Sequence, residues 1–242
     1  MQITSLGDSA LIVRVREDFR DAPEKTLDEV LSAMHWIADA RISGVIECAS
    51  AYTTVAVFFD PVEIIKKGAK ADEVIPWLSE KIRESLSSHH RFLRDKGEMR
   101  LVEIPVCFDP EFALDLRQVA SRARRTTDEV VDLYCAGDYR VGCIGFRPGF
   151  PFLTGLPKSL ATPRRATPRK EIPAGSVAIG NDQTGIYPLR SPGGWNLIGR
   201  TPLQLFDPKK EQPTLLRAGD RVRFRAITRE QFETMTHQAL QQ

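Results

Sequence analysis

The stretch Ile-Gly-Phe-Arg-Pro-Gly-Phe-Pro-Phe-Leu, residues 144–153, opens the part of the chain that decides the fold. Residues 145–208 hold nine of the 16 glycines and ten of the 16 prolines. Because proline donates no backbone hydrogen bond, this part cannot be a regular central sheet throughout. Its many large apolar residues argue against a disordered tract. We predict an ordered, loop-rich β-barrel, which the alternating pattern of residues 222–228 closes.

Two short helices are predicted before this loop-rich part. The first spans residues 115–122, and Asp115 with Gln118 is interpreted as its cap pair. The second spans residues 126–133, where Thr126 stands three residues before a glutamate, the pattern of a capping box.

Strand and helix patterns alternate in the first hundred residues. Strands are predicted at 10–16, 45–48, 53–59 and 99–108. One helix is predicted behind a capping box of Thr26 and Glu29, and a second from Asp72 to Ser87. This βαββαβ order is typical of a ferredoxin-like unit. The polar stretch 89–98 is interpreted as a linker. We therefore predict the α+β class, with a small N-terminal α/β domain at residues 1–92 and a barrel domain at 98–235.

Composition excludes several classes of protein. The chain has 242 residues, a net charge of +2 and 42% hydrophobic residues, which argues against disorder. No apolar run approaches the roughly 20 residues of a membrane span, and the first residues lack a signal-peptide pattern. Nearly balanced charge and only 8% aromatic residues argue against nucleic-acid binding. We expect a cytoplasmic protein without membrane or nucleic-acid partners.

Cysteine and histidine form no metal-binding pattern. The four cysteines include no Cys-x-x-Cys pair, so no metal site is predicted and the thiols are interpreted as reduced. Phosphate-binding, dinucleotide-binding, serine-hydrolase and zinc-protease motifs are absent. No histidine lies in residues 145–208. A proton carrier there would have to be tyrosine, cysteine, a carboxylate or a group from a partner.

Three segments of the loop-rich part carry candidate ligand-binding groups. In residues 145–152, two glycines and three phenylalanines flank Arg147, which suits an apolar ligand wall or a loop packed into the core. Residues 162–170 carry four cations between prolines, which suits an anion site, a docking strip or a solvated basic loop. Residues 183–196 crowd amide, hydroxyl and indole donors beside glycines, for a small polar ligand or for turns.

Taken together, six runs in this order resemble the B subunit of 5-oxoprolinase, a family also called allophanate hydrolase subunit 1 that includes a sporulation-kinase inhibitor. The runs are residues 144–153, 160–169, 172–179, 183–188, 191–196 and 197–207. Residues 219–224 resemble the closing strand of that family, and residues 7–10 its opening. The resemblance covers nearly the whole chain.

The resemblance implies a cyclophilin-like β-barrel after the N-terminal domain. It also implies two partners, a homologous C subunit and an A subunit, with which the chain would open the lactam of 5-oxoproline to L-glutamate. ATP is the expected co-substrate, together with Mg²⁺, and no tightly bound cofactor is expected. Phosphorylation of the stable amide would make its carbonyl a better electrophile.

We assign site residues within that resemblance. The catalytic candidates are Tyr134, Arg147, Gln183 and Tyr187, and the substrate- or nucleotide-binding candidates are Arg164, Arg165, Arg169, Ser191 and Trp195. Tyr134 would donate a hydrogen bond, Arg164 and Arg169 would clamp an anion, and Gln183 would read an amide. Many relatives carry histidine where this chain places Tyr134, and tyrosine, with a pKa near 10, is a poor base at neutral pH.

Two other functions fit the same motifs. One is an inhibitor that binds the dimerisation helices of a sensor histidine kinase. The other is a prolyl isomerase, suggested by the barrel type and by Arg147 beside Phe150 and Phe152.

Overall fold

The computed structural model describes residues 2–19, 21–88 and 99–239, and the chain divides into two compact units. Unit 1 is Met1–Glu98 and unit 2 is Met99–Gln242. Both contain sheet and helix, which confirms the α+β class. The predicted linker, residues 89–98, lies outside the described residues.

Unit 1 packs helices against a four-stranded antiparallel sheet. Its elements are β1 (Gln2–Ser5), β2 (Ala10–Arg14), α1 (Pro23–Asp39), β3 (Val45–Ala51), β4 (Thr54–Phe59), α2 (Pro61–Lys66) and α3 (Val74–Ser88). The strands lie in the order β1-β2-β4-β3. Val13 and Val57 of the sheet share one buried cluster with Ile37 of α1 and Leu78 and Ile82 of α3. Apolar positions at helical and strand spacing therefore meet on one side of the sheet.

Helix α1 begins before the predicted capping box. Pro23 lies in its first turn, and Ala22 is an N-cap without a side-chain hydrogen bond. The predicted capping box is wrong, because Thr26 is buried inside the helix and Glu29 forms an ion pair with Arg16.

Helix α2 was not predicted from the sequence. Asp60 follows β4 and accepts a hydrogen bond of 2.8 Å from the backbone N–H of Val62, the N-cap contact that starts α2. The longer helix α3 agrees with the predicted helix of residues 72–87 within two residues.

Unit 2 contains nine strands and three α-helices in its described residues. They are β5 (Leu101–Cys107), α4 (Leu116–Ala123), α5 (Thr127–Cys135), β6 (Tyr139–Ile144), β7 (Pro151–Thr154), β8 (Arg169–Ile172), β9 (Ser176–Gly180), β10 (Gln183–Ile186), β11 (Ser191–Gly193), β12 (Asn196–Arg200), β13 (Arg221–Ile227) and α6 (Arg229–Ala239). A single 3₁₀ turn spans Lys158–Leu160. The sequence did not predict α6.

Seven of these strands close into a barrel. Their order is β6-β13-β5-β12-β9-β10-β7, and β7 pairs back onto β6. Strands β8 and β11 form a separate two-stranded sheet at the rim. Strand β5, which the sequence assigned to the ferredoxin-like order, pairs in parallel with β13 in unit 2. That order is therefore not completed within unit 1.

Helices α4 and α5 pack on the barrel, and their N-termini differ in how they are capped. The capping box of α5 is confirmed, because Thr126 and Glu129 each bond the other's backbone N–H at 3.2 and 2.7 Å. At α4 the predicted cap pair is wrong: Asp115 is the N-cap, but its side chain makes no capping bond. The carboxylate of Asp115 turns toward the rim loops instead.

Candidate functional site

The barrel wall separates two aromatic clusters, and the predicted residues divide between them. The interior cluster includes Tyr134, Tyr139 and Phe224, which are all buried. The outer cluster, which we call the aromatic face, consists of Phe146, Phe150, Phe152, Tyr187 and Trp195.

Tyr134 belongs to the interior. It has no exposed surface, and its hydroxyl lies 2.7 Å from Thr184 Oγ1. Because Thr184 donates its own proton to the carbonyl of Ala178 at 2.8 Å, the phenol is the donor of this bond. Burial raises the pKa of Tyr134 well above its usual range. The phenol stays protonated inside the barrel, and the structure does not bring it to the other candidates.

Phe150 is the centre of the aromatic face. Its ring centroid lies 5.5 Å from that of Phe146, 5.2 Å from Tyr187, 5.6 Å from Trp195 and 4.8 Å from Phe152. Most of these rings meet edge to face, which is a favourable arrangement for aromatic pairs. Phe150 is buried, whereas the ring of Phe146 is 61% exposed. The segment thus packs Phe150 into the core, as one of its two interpretations had it, and leaves Phe146 on the surface.

A tight turn between β6 and β7 presents Phe146. The N–H of Gly145 bonds the carbonyl of Phe150 at 3.1 Å, and Phe146 has a φ of +63°. Only glycine adopts that left-handed backbone without strain. Gly149, also at positive φ, packs against the backbone of Leu205 and the Cβ of Phe206. The chain therefore accepts backbone strain to keep one aromatic ring on the surface.

Two arginines of residues 162–170, which we call the basic loop, bind a buried carboxylate. Asp115 is 4% exposed and accepts hydrogen bonds from Arg165 Nη1 at 2.9 Å and from Arg169 Nη1 and Nη2 at 2.8 and 3.0 Å. The backbone N–H of Leu197 bonds the same carboxylate at 2.7 Å. Arg169 is therefore not free to clamp an external anion as predicted, and Arg165 is engaged in the same way.

Arg164 and Arg147 are the predicted cations that remain on the surface. The guanidinium of Arg164 lies 5.6 Å from the ring centroid of Trp195, and that of Arg147 lies 6.0 Å from the ring of Phe146. Both contacts are within cation–π range. Within the described part of the chain, neither arginine forms an ion pair. They leave two positive charges at the edge of the aromatic face.

Gln183 and Ser191 lie beside this face. Gln183 pairs in register with Gly180, and a Cβ on Gly180 would collide with the indole of Trp195. Directly opposed residues of antiparallel strands point to the same side of the sheet. Gln183 therefore projects on the side of Trp195. Ser191 pairs with Ile172, and its buried hydroxyl has no hydrogen-bond partner among the described residues.

Tyr187 is the phenol nearest to the free cations. Burial raises the pKa of Tyr187, against opposing effects from a hydrogen bond with the backbone of Trp195 and from the charges of Arg164 and Arg169. The phenol of Tyr187 is therefore protonated at neutral pH. Eight of the nine predicted residues thus lie on or beside the aromatic face, two of them bound to Asp115.

A separate cleft of about 740 Å³ lies at the carboxyl ends of β5 and β13. Phe108, Leu116, Val131, Asp128 and Arg117 are among the residues that line it. None of the predicted site residues lines it.

Neither a metal cluster nor a membrane span was found in the described residues. No group of three or more histidine, cysteine, aspartate or glutamate side chains is arranged to hold a metal ion there. None of the described helices combines the length and the apolar character that crossing a bilayer requires.

Asp115 is the site residue that sequence reasoning missed. It lies about fifty positions before its arginine partners, and a helix-capping pattern accounted for it fully. The pairing of a cation-rich loop with one distant carboxylate leaves no local signal in the sequence.

The fold and its rim loops define a class of protein. Residues 1–216 match the family model of the carboxyltransferase domain, subdomain C and D. The chain superposes on the crystal structure of TTHA0988 with a TM-score of 0.71 and 34% identity, over 90% of this chain and 40% of that one. The closed barrel and this superposition confirm the expected barrel fold.

Two curated relatives share one name, that of the B subunit of 5-oxoprolinase. The chain is 42% identical to the Bacillus subtilis protein of that name over 96% of this chain and 95% of the relative. It is 53% identical to the Escherichia coli O157:H7 protein of the same name over 52% of this chain and 58% of the relative. The chain belongs to the family of the 5-oxoprolinase B subunit.

Proposed function

We propose that this chain is a subunit of an ATP-dependent 5-oxoprolinase complex that opens 5-oxoproline to L-glutamate. Its partners in the proposal are a homologous C subunit and an A subunit. The observation that carries the proposal is the 42% identity to the Bacillus subtilis relative over nearly the full length of both chains.

The charge of the site suits a reaction that develops negative charge. Opening a lactam with ATP in this way transfers a phosphoryl group to the amide oxygen, and water then adds to the same carbon. The C–N bond breaks as the ring nitrogen takes a proton, and a second water hydrolyses the resulting acyl phosphate to the carboxylate and free phosphate. Arg147 and Arg164 are the exposed, unpaired cations beside the aromatic face, within the described part of the chain. Guanidinium groups stabilise such charge when they are held in place before it develops. We assign these two arginines, rather than Arg169, to the anion; Mg²⁺ would enter with the ATP phosphates.

Three groups near the site that could act as a base are protonated or paired. Tyr187 is protonated at neutral pH, Asp115 is bound by two arginines, and Glu171 forms an ion pair with Arg190. No histidine occurs between residues 91 and 236. In this proposal, the group that activates water comes from another subunit. The exposed ring of Phe146 is the contact that such a subunit would cover.

Reconstitution tests the proposal. The chain is mixed with its C and A partners, and ADP release and glutamate formation are measured with and without 5-oxoproline. We expect 5-oxoproline-dependent ADP release only with all three chains, lost on Arg164→Ala and retained on Arg122→Ala, an exposed arginine of α4. No turnover from three folded partners would overturn the proposal.

The kinase-inhibitor alternative is tested with the same preparation. Autophosphorylation of purified sensor histidine kinases is measured with and without the chain. Inhibition at stoichiometric amounts, combined with inactivity of the three-chain mixture, would favour the alternative.

A further inference from the structure

The side chain of Asp115 does not make the hydrogen bond that is usual at its position. Asp115 is the N-cap of α4, where an aspartate normally accepts a hydrogen bond from the first turn of the helix. Here the side chain makes no such bond, while its backbone N–H bonds the carbonyl of Leu197 at 2.8 Å. Both carboxylate oxygens are used by Arg165, Arg169 and the N–H of Leu197. The side chain is therefore committed to the rim loops and not to its own helix.

Hydrogen bonds fix the backbone on both sides of Arg164, and Asp115 supplies one of those that follow it. On one side, Asn196 Nδ2 bonds the carbonyl of Pro163 at 2.9 Å. On the other, Arg165 bonds the carbonyl of Gly194 through its backbone N–H at 2.8 Å and Asp115 through its side chain. The backbone at Arg164 is thus held between two fixed residues. This arrangement delivers its guanidinium to the ring of Trp195.

Arg169 anchors the far end of the same loop. It lies in β8 opposite Gly193 of β11, and both terminal nitrogens of its guanidinium bond Asp115. Two parallel hydrogen bonds fix orientation as well as position, which lysine cannot reproduce. One carboxylate therefore joins α4, the basic loop and β12, the three segments around Arg164.

Charge balance makes the carboxylate indispensable. Two guanidinium groups share a single carboxylate in a largely buried cluster, which leaves it with one excess positive charge. An amide in place of Asp115 would leave two half-buried cations facing each other without a counter-charge. Such groups move toward water, and the loop would move with them.

We propose that Asp115 is the positioning residue of the aromatic face: through Arg165 and Arg169 it fixes the basic loop and holds Arg164 on Trp195. The consequence for turnover rests on the proposed function, whereas the consequence for Trp195 does not. Asp115 touches no substrate and acts only through the arginines.

The first experiment follows Trp195 alone. A Trp36→Phe and Trp77→Phe background leaves Trp195 as the single indole, and quenching of its fluorescence by acrylamide is measured after the fold is checked by circular dichroism. Because Arg164 covers the 5%-exposed Trp195, we expect quenching to rise in Asp115→Asn and in Arg164→Ala. Asp132→Asn, which removes a carboxylate of α5, is the matched control and should not change it. Unchanged quenching in folded Asp115→Asn would overturn the proposal.

Arg169→Lys keeps the test valid where Asp115→Asn does not fold. It retains the charge and loses the paired hydrogen bonds, so quenching of Trp195 should rise there as well. A double variant, Asp115→Asn with Arg169→Gln, should show the same quenching as Asp115→Asn alone, because both changes break one contact. Strictly additive effects would contradict action through Arg169.

The second experiment uses the reconstituted complex. We expect Asp115→Asn to lower kcat by about 10- to 100-fold, as a misplaced charged group does, with a smaller change in KM for 5-oxoproline. Raised quenching with unchanged kcat would overturn the link to catalysis. Raised quenching in Asp115→Asn, when the complex of unaltered chains shows no turnover, would instead reject the proposed function and leave the positioning role intact.

Discussion

The hydroxyl of Tyr134 donates a hydrogen bond to Thr184 Oγ1 across the interior of the barrel, at 2.7 Å. This bond joins helix α5 to strand β10. Since Tyr134 has no exposed surface, a position proposed for catalysis is occupied here by a core residue.

Replacement of Tyr134 by phenylalanine should therefore affect stability and not turnover. Thr184 keeps its bond to the carbonyl of Ala178, so only one buried hydrogen bond is lost. We expect Tyr134→Phe to lower the free energy of unfolding by about 1 kcal/mol and to leave kcat of the reconstituted complex unchanged. Chemical denaturation and steady-state kinetics measure the two effects. A large loss of kcat at unchanged stability would return Tyr134 to the catalytic candidates.

Arg164 and Arg169 should differ in what their removal costs. Arg164→Ala leaves no buried charge unpaired, so we expect unchanged stability and loss of 5-oxoproline-dependent ADP release. Arg169→Ala removes two hydrogen bonds from the buried carboxylate of Asp115. We expect it to cost about 1.5–3 kcal/mol of unfolding free energy, the range for hydrogen bonds to charged groups. Equal stability of the two variants, measured by urea denaturation, would contradict the assignment.

Phe146 should matter to assembly and little to folding. In Phe146→Gly, relief of the positive φ offsets the lost contact with Phe150, so the free energy of unfolding should stay within about 1 kcal/mol of the original. Binding to the C subunit should weaken, because an exposed aromatic anchor is removed. Calorimetric titration of one chain into the other measures this, and Val62→Gly, at an exposed apolar residue of unit 1, is the control. Unaltered affinity in Phe146→Gly would place the interface elsewhere.

Alkaline pH should destabilise the chain. Burial raises the pKa of the Tyr134, Tyr139 and Tyr187 phenols, and it raises the pKa of the Cys48 thiol to about 11. Between the unfolded and folded pKa values, the folded state binds more protons, so the free energy of unfolding falls as pH rises. We expect full stability below about pH 8 and progressive loss above about pH 9, where free thiols and then phenols ionise.

The contribution of Tyr187 can be isolated from this alkaline loss. Tyr187→Phe should flatten the slope of unfolding free energy against pH above about pH 10. Urea denaturation at several pH values provides the measurement. A slope identical to that of the unaltered chain would show that Tyr187 is not protonated preferentially in the folded state.

Much of the fold followed from local patterns. The glycine- and proline-rich stretch predicted a barrel with long rim loops, and the box of Thr126 and Glu129 predicted the start of α5. Where prediction failed, the residue or strand interacts with a partner that is distant in the sequence. Glu29 pairs with Arg16 and Asp115 with the basic loop, so neither side chain makes a capping hydrogen bond. Strand β5 was counted in the ferredoxin-like order, although the predicted bounds of the barrel domain include it, because its partner β13 lies at the far end of the sequence.

The residues of the candidate site were predictable from the sequence, but the contact that each of them makes was not. Motif reasoning collected eight residues that do lie on or beside one face. It could not tell a cation that stacks on an aromatic ring from one that neutralises a buried acid, because both are arginines in one short segment. Nor could it place Tyr134, since a shift of one or two residues along α5 decides whether a tyrosine faces the barrel interior or water.

Strand β13 fills the gap between β5 and β6, and its register pairs Arg221 with both Leu101 and Arg140. During synthesis, almost the entire second unit must therefore leave the ribosome before the barrel can close. Until then, the facing edges of β5 and β6 have no neighbour to bond. A nascent chain stalled before Arg221 therefore has an open sheet with two unpaired edges, and we expect chaperone binding to be strongest at that length.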